Sequence, residues 1–206
     1  MAGWVGGPAY LALCDEVPQM NEFIATTIEG GFSWTLTTRL GEMLRMAEDE
    51  FGERDKSYTI LGIEFQESGP QIWYPGNCGN IAIQLSTSAI GNGPRACYQL
   101  AHECVHLLSP QGGRSANTLE EGLATVFSGR YVRNSFGVQF KPDLQCYAEA
   151  AELAQELLSH NPDAIKILRA DEPVISKITR GQIMGSFPSL GEDLATRLCA
   201  PFERVT

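Results

Sequence analysis

The sequence predicts an α+β fold, with a small mixed or antiparallel sheet in the first half of the chain and helices in the second. Residues 58–66 and 81–87 alternate between apolar and polar positions as strands do, and 71–74 follows a Gly-Pro turn as a third strand. From residue 143 onward, apolar residues instead recur every three or four positions, which is typical of helices with one buried face. The 206 residues, 43% of them hydrophobic, suffice for one domain with a substantial core.

Helices precede the strands in the first half of the chain. A short helix is expected over 17–28, and a longer one over 33–51, where apolar residues form one stripe and Gly52 ends it. The two strands on either side of the Gly-Pro turn favour a hairpin. A loop rich in Gly and Asn then separates them from the strand at 81–87, which leads through a turn into the central helix.

The second half is expected to be mainly helical. A stretch of mixed composition, 130–141, is interpreted as a loop or a short strand, and an amphipathic helix follows over 143–160. Three shorter helices complete the chain, at 163–169, 173–184 and 189–202. The last of them begins with Ser189 and Glu192 at the spacing of a capping box.

Charge and composition exclude several classes of protein. The net charge of −10 argues against a nucleic-acid partner, because phosphate binding needs a basic face. Apolar runs stay shorter than a membrane span, and the apolar start lacks a basic segment, so we expect neither a membrane span nor a signal peptide and predict a cytoplasmic protein. Six cysteines form no C-x-x-C pair, which predicts reduced thiols and no zinc finger.

The segment Gln-Leu-Ala-His-Glu-Cys-Val-His-Leu-Leu carries the strongest functional signal in the chain. On a helix, His102 and His106 lie on one face, with Glu103 beside them. Two neutral imidazoles bind Zn²⁺ well, and Glu103 can take the proton of a water that the metal activates. The alternative is an ordinary core helix with a buried or capping histidine pair, but two of the three histidines in the chain stand here at ligand spacing.

A second helix with two acids near its start follows this segment. Its apolar residues repeat at helical spacing, and Ser115 or Asn117 can cap it. Taken alone, Glu120 and Glu121 are also what the helix dipole favours in a first turn. Together with the histidine segment, however, the run Glu-Gly-Leu-Ala from Glu121 onward resembles the gluzincin clan of zinc metallopeptidases, where a later helix supplies a glutamate in the pattern N-E-G-x-A.

The resemblance implies Glu121 as the third zinc ligand, with Glu120, which replaces the usual asparagine, as the fallback. It also implies one zincin-like domain over 1–206, in which the sheet and the zinc helix form an upper lobe (about 1–110) and helices form a lower lobe (about 111–206). The expected activity is zinc-dependent hydrolysis of a peptide or protein substrate, with Glu103 as general base and acid.

Enzymes of this type use a second electrophile for the developing oxyanion, a tyrosine or histidine from the lower lobe. His160 and Tyr147 are the candidates we select here, with Tyr131, Arg130 and Arg133 as further possibilities. Each ligand imidazole also needs an acceptor for its other N–H, for which Glu120, Asn117 and backbone carbonyls are available.

The strand at 81–87 is the best candidate for pairing with substrate. In zincins, the strand before the active helix lies at the sheet edge, where a peptide adds as an antiparallel strand. The alternative is an interior strand without substrate contact. The 25 acidic residues favour basic substrates by long-range steering.

Two other functions compete with the peptidase. A peptide-deformylase-like zinc or iron amidase would take Cys78 as third ligand, but its pattern leaves the Glu-Gly-Leu-Ala run unexplained. A non-catalytic zincin-fold binding or regulatory protein is the second competitor, although it would not need Glu103.

Overall fold

The computed structural model describes residues 27–29, 31–32, 34–76, 79–112 and 116–204. Within these ranges the fold is α+β, as the sequence predicts, with a small mixed sheet beside a larger helical part. Of the helix expected over 17–28, residues 17–26 lie outside the described ranges. The last two residues are wrongly assigned, because β1 (Thr27–Ile28) forms a short antiparallel pair with β2 (Gly31–Phe32).

The main sheet has three strands in the order β3 (Thr59–Gln66), β5 (Asn80–Ser86) and β4 (Gln71–Trp73). β5 pairs in parallel with β3 and antiparallel with β4. The predicted hairpin between β3 and β4 is therefore wrong, because β5 lies between them. β5 is buried on both faces along most of its length, as a central strand must be, whereas β3 and β4 are partly exposed.

Two helices pack next to this sheet. α1 (Leu36–Phe51) begins with a capping box at Thr35 and ends at Gly52, whose φ of 95° suits glycine. α2 (Gly93–His106) begins at Asn92, whose side chain accepts a hydrogen bond from the Arg95 amide, and it contacts β5. The predicted helix at 33–51 is thus confirmed with a slightly later start.

Helices make up the rest of the described chain. They are α3 (Thr118–Phe136), α4 (Gln145–His160), α5 (Ala164–Asp171), α6 (Arg180–Ser186) and α7 (Glu192–Leu198), with a 3₁₀ turn at Ile175–Lys177. The loop or strand predicted at 130–141 is wrong in its first half. α3 continues to Phe136 because Tyr131 and Val132 extend its buried face, and it ends at Gly137 in the left-handed conformation.

The predicted capping box at Ser189 does not form. α7 begins after Gly191, without a side-chain cap, and the Ser189 hydroxyl instead contacts the Nε2 atom of His160 at 3.1 Å. Of the six cysteines, the four that the structure describes are free thiols, in agreement with the prediction. Among the described helices, none is long and apolar enough to cross a membrane.

A buried arginine fixes the end of α2 against its neighbours. The guanidinium of Arg169 in α5 donates to the carbonyl oxygens of Phe51 and Gly52 at the end of α1, at 2.8 and 2.7 Å. It also reaches the carbonyl of Leu108, two residues after α2, at 3.4 Å. These bonds satisfy carbonyls that a helix end leaves without partners, and they hold the C-terminal end of α2 in place.

Candidate metal centre

α2 presents three functional side chains near its C-terminal end. His102 and His106, one turn apart, lie on the same face with ring centroids 5.1 Å apart. Both imidazoles are mostly buried, with 12% and 17% of their side-chain surface exposed. Glu103 is also buried, and it lines a cleft next to His102.

α3 brings a glutamate to the two imidazoles. Asn117 caps α3 by accepting a hydrogen bond from the Glu120 amide, which sets the orientation of the first turn. In that turn, the Oε2 atom of Glu121 lies 3.1 Å from Nε2 of His102 and 3.7 Å from Nε2 of His106. The ligating atoms of these three residues all lie within 4.8 Å of one another.

The spacing of these atoms fits a small divalent cation. Two ligands bound about 2 Å from a tetrahedral zinc lie roughly 3.3 Å apart, which falls between the two observed distances. Two imidazole nitrogens and one carboxylate oxygen form a donor set that zinc accepts, and three protein ligands leave a position for water. The residues present therefore fit Zn²⁺.

Glu120 has a different role from its neighbour. Its Oε1 atom lies 2.8 Å from Nδ1 of His106, on the side of the ring opposite Nε2. An acceptor at Nδ1 fixes the tautomer and leaves Nε2 free to bind a cation. In this arrangement Glu121, and not Glu120, lies where the two Nε2 atoms converge. Glu120 orients His106, which is one of the roles that the sequence suggested for it.

The electrostatics of the cluster couple its members. Burial alone would lower the pKa of His106, but hydrogen bonds to Glu120 and Glu121 raise that pKa well above its usual value. Burial would raise the pKa of Glu121, yet the two histidines hold it well below its usual range. For Glu103 burial prevails, so its pKa is raised. The buried Glu103 carboxylate is therefore suited to accept a proton and release it again.

The glycine after Glu121 permits close packing of α4. A Cβ atom at Gly122 would lie 2.2 Å from the carbonyl oxygen of Ala150, so only glycine fits between α3 and α4. One turn before Ala150, the ring of Tyr147 meets that of His102 at a centroid distance of 5.9 Å. Burial, followed by the charge of Glu121, raises the pKa of Tyr147, which therefore keeps its proton.

A cleft of about 240 Å³ opens beside the cluster. His102, Glu103 and Tyr147 form one part of its wall, and the turn at 68–70 before β4 and the loop at 140–144 before α4 form others. Three basic residues complete it, Arg95, Lys141 and Arg204. None of these three residues was predicted from the sequence. Arg95 lies seven residues before His102 and so shares its helix face, a spacing that could have identified it. Arg204 has no such local signal.

The other candidate electrophiles lie elsewhere. His160 is exposed at the opposite end of α4, roughly 20 Å from Tyr147 at 1.5 Å per residue, and its ring packs on Phe187. The structure therefore does not bring His160, which we selected as a catalytic candidate, to the cluster. Tyr131 donates to Glu42, Arg130 pairs with Glu50, and Arg133 does not line the cleft.

Two further expectations concern the substrate-pairing strand and Cys78. The strand expected at 81–87 as the substrate-pairing edge is wrong, because β5 occupies the centre of the sheet. β4 is an edge strand instead, and it lies next to α2 and directly after the cleft-lining turn at 68–70. Cys78, the ligand of the deformylase alternative, lies outside the described residues.

Comparison with protein-family models, with curated proteins and with solved structures gave no match, so the chemistry of this centre is the basis for assigning a function.

Proposed function

We propose that the protein is a zinc-dependent peptidase with a zincin-like layout, in which His102, His106 and Glu121 hold Zn²⁺. Bound there, the ion would supply a Lewis acid that polarises the scissile carbonyl and lowers the pKa of a water molecule. The cleft next to His102 is where a peptide would reach this centre.

The chain's own residues supply the remaining chemistry. Glu103 accepts the proton of the attacking water and passes it to the leaving amine, a task that its raised pKa suits. Tyr147 retains its phenolic proton and donates it in a hydrogen bond to the oxygen that becomes negative during the attack. Glu120 keeps the His106 ring in its binding orientation.

One observation carries the proposal, namely that the Glu103 carboxylate lines the cleft beside the three candidate ligands without a hydrogen-bond partner among the described residues. It is only 5% exposed, and among the described residues it forms neither a hydrogen bond nor an ion pair. A carboxylate that lines the cleft beside three convergent ligands, without a protein partner, is free to accept a proton from a water molecule there, which supports a catalytic role. A purely binding protein would gain stability from an apolar residue here.

The proposal is tested with a peptide library derived from a proteome digest, with cleavage read by mass spectrometry. The zinc-loaded wild-type chain should cleave peptides, and Glu103→Gln should retain zinc but lose about 10²- to 10⁴-fold in turnover. Glu156→Gln, an exposed change on α4, is the matched control and should behave as wild type. If Glu103→Gln cleaves as fast as wild type, the proposed mechanism fails.

A further inference from the structure

Three cations line the cleft that contains His102 and Glu103, although the protein as a whole is acidic. They are Arg95, Lys141 and Arg204. Within the part of the chain that the structure describes, none of them forms an ion pair with a carboxylate. The cleft wall carries one further acid besides Glu103, the exposed Asp143. The cleft rim therefore has an excess of positive charge.

Arg95 stands where helix stability does not favour it. It occupies the first turn of α2, close to the positive end of the helix dipole, where a cation is unfavourable by about 0.3–1 kcal/mol. The same end favours a bound anion, and arginine binds carboxylates through two parallel hydrogen bonds. A carboxylate from outside the chain would thus relieve an unfavourable arrangement.

The position of Arg95 along α2 defines its distance from the metal centre. Seven residues separate it from His102, which is two turns, or about 10 Å along the helix axis. An extended peptide covers that distance in about three residues. Between the two positions, Tyr98 and Phe140 stack at a centroid distance of 5.1 Å and form an apolar part of the cleft wall.

Arg204 lies near the end of the cleft wall that His102 and Tyr147 form. Its guanidinium carbon is 5.9 Å from the centroid of Tyr147, whose ring in turn contacts His102. The cations therefore flank the route of a peptide through the cleft. At physiological salt the Debye length is about 8 Å, so acids elsewhere on the surface are largely screened, whereas the cations in the cleft act directly.

We propose that the cleft selects acidic peptides, with Arg95 binding a substrate carboxylate about three residues from the scissile bond and Lys141 and Arg204 adding favourable charge. This inference deepens the proposed peptidase function and rests on it. The net charge of −10 suggests a preference for basic substrates, whereas this inference predicts acidic ones. The reason is that cations in the cleft outweigh the screened acids on the surface. The carboxylate belongs either to an Asp or Glu side chain or to a peptide C-terminus.

The test uses fluorescein-labelled seven-residue peptides with randomised sequences, in which one position is fixed as Glu or Gln and the C-terminus is an acid or an amide. Binding is measured by polarisation on zinc-loaded Glu103→Gln, which does not consume the peptide, and cleavage is measured on the chain with Glu103 intact. We expect one carboxylate-bearing set to bind about tenfold more tightly than its neutral counterpart. Arg95→Gln should abolish that preference, and Arg95→Lys should retain part of it.

The two arms identify the source of the carboxylate. A preference for Glu over Gln that depends on Arg95 assigns a side chain, and a preference for acid over amide that depends on Arg95 assigns the C-terminus. Arg45→Gln, an exposed change on α1 away from the cleft, should leave both preferences intact. Equal binding of charged and neutral peptides, or a preference that survives Arg95→Gln, would overturn the inference. Cleavage without any such preference would leave the peptidase standing and reject only the acidic substrate class.

Discussion

Two polar clusters lie along α3, and they differ in charge balance. Near its C-terminal end, Tyr131 meets one cation and one anion, because its hydroxyl donates to Glu42 at 2.8 Å and Arg39 pairs with Glu42 at 3.0 Å. About 15 Å away, the first turn of α3 contributes to a cluster of a different kind. There, three carboxylates surround two imidazoles.

The difference separates the balanced cluster, formed by Tyr131, Arg39 and Glu42, from one that we propose to bind a cation. The Arg39–Glu42 pair cancels its own charge, so it leaves no net charge for a cation to offset. In the second cluster, Glu103, Glu120 and Glu121 outnumber the two imidazoles, and the raised pKa of His106 reflects this excess of negative charge, which burial makes costly. A divalent cation would correct it.

The adjacent glutamates should differ in their effect on zinc affinity. Glu120→Gln replaces the carboxylate acceptor behind His106 with a neutral amide and should weaken binding about 10- to 100-fold, the usual effect of changing such partners. Glu121→Gln removes a ligand and should weaken it further. Competition with a chromogenic chelator measures both constants, and Glu42→Gln in the balanced cluster is the control. A larger loss for Glu120→Gln than for Glu121→Gln would reverse our assignment of the third ligand.

Two tyrosines allow the same substitution to be compared in both clusters. Tyr147→Phe should lower turnover by roughly 100-fold, as removal of an oxyanion donor does, and should barely change stability, because its hydroxyl has no partner among the described residues. Tyr131→Phe loses a hydrogen bond to Glu42 and should reduce the free energy of unfolding by about 1 kcal/mol. Steady-state kinetics and urea unfolding measure the two effects. Unchanged turnover in Tyr147→Phe would remove this residue from the mechanism.

Removing the metal should destabilise only one of the clusters. Free zinc at ten times its dissociation constant stabilises a folded chain by about 1.4 kcal/mol, which raises Tm by roughly 3–6 °C for a chain of this size. Scanning calorimetry with and without chelator measures this shift. It should persist in Glu42→Gln and shrink at the same zinc concentration in Glu121→Gln. An equal shift in all three chains would show that zinc stabilises the fold from another site.

Local spacing explains which parts of the centre the sequence could predict. His102 and His106 are one helical turn apart, so their common face follows from the sequence alone. Glu120 and Glu121 could also be found, because they stand at the start of the next predicted helix. The order of the strands depends on pairing across the chain, and it placed β5 in the middle instead of at the edge. Arg204 reaches the cleft from a position 57 residues beyond Tyr147, for which no periodic pattern exists. His160 has suitable chemistry, but the length of α4 keeps it away.

The smallest effect concerns the pH dependence of the balanced cluster. Burial alone would raise the pKa of Glu42, but hydrogen bonds from Tyr131 and Arg39 lower it below its ordinary value of 4.5. A carboxyl with a depressed pKa stabilises the fold above its unfolded pKa and loses that contribution as the pH falls through the folded value. Because the Glu42 side chain is 44% exposed, the contribution should stay below about 1 kcal/mol.

Urea unfolding of wild type and Glu42→Gln at pH 6, 4.5 and 3.5 isolates this contribution. The difference in unfolding free energy should be present at pH 6 and decrease towards pH 3.5, because only wild type carries the titrating group. A difference that stays constant over this range would mean that Glu42 contributes by packing and not by charge. In that case the ionised Glu42 would not stabilise the fold through its pair with Arg39. The contrast in charge balance between the two ends of α3 would then no longer hold.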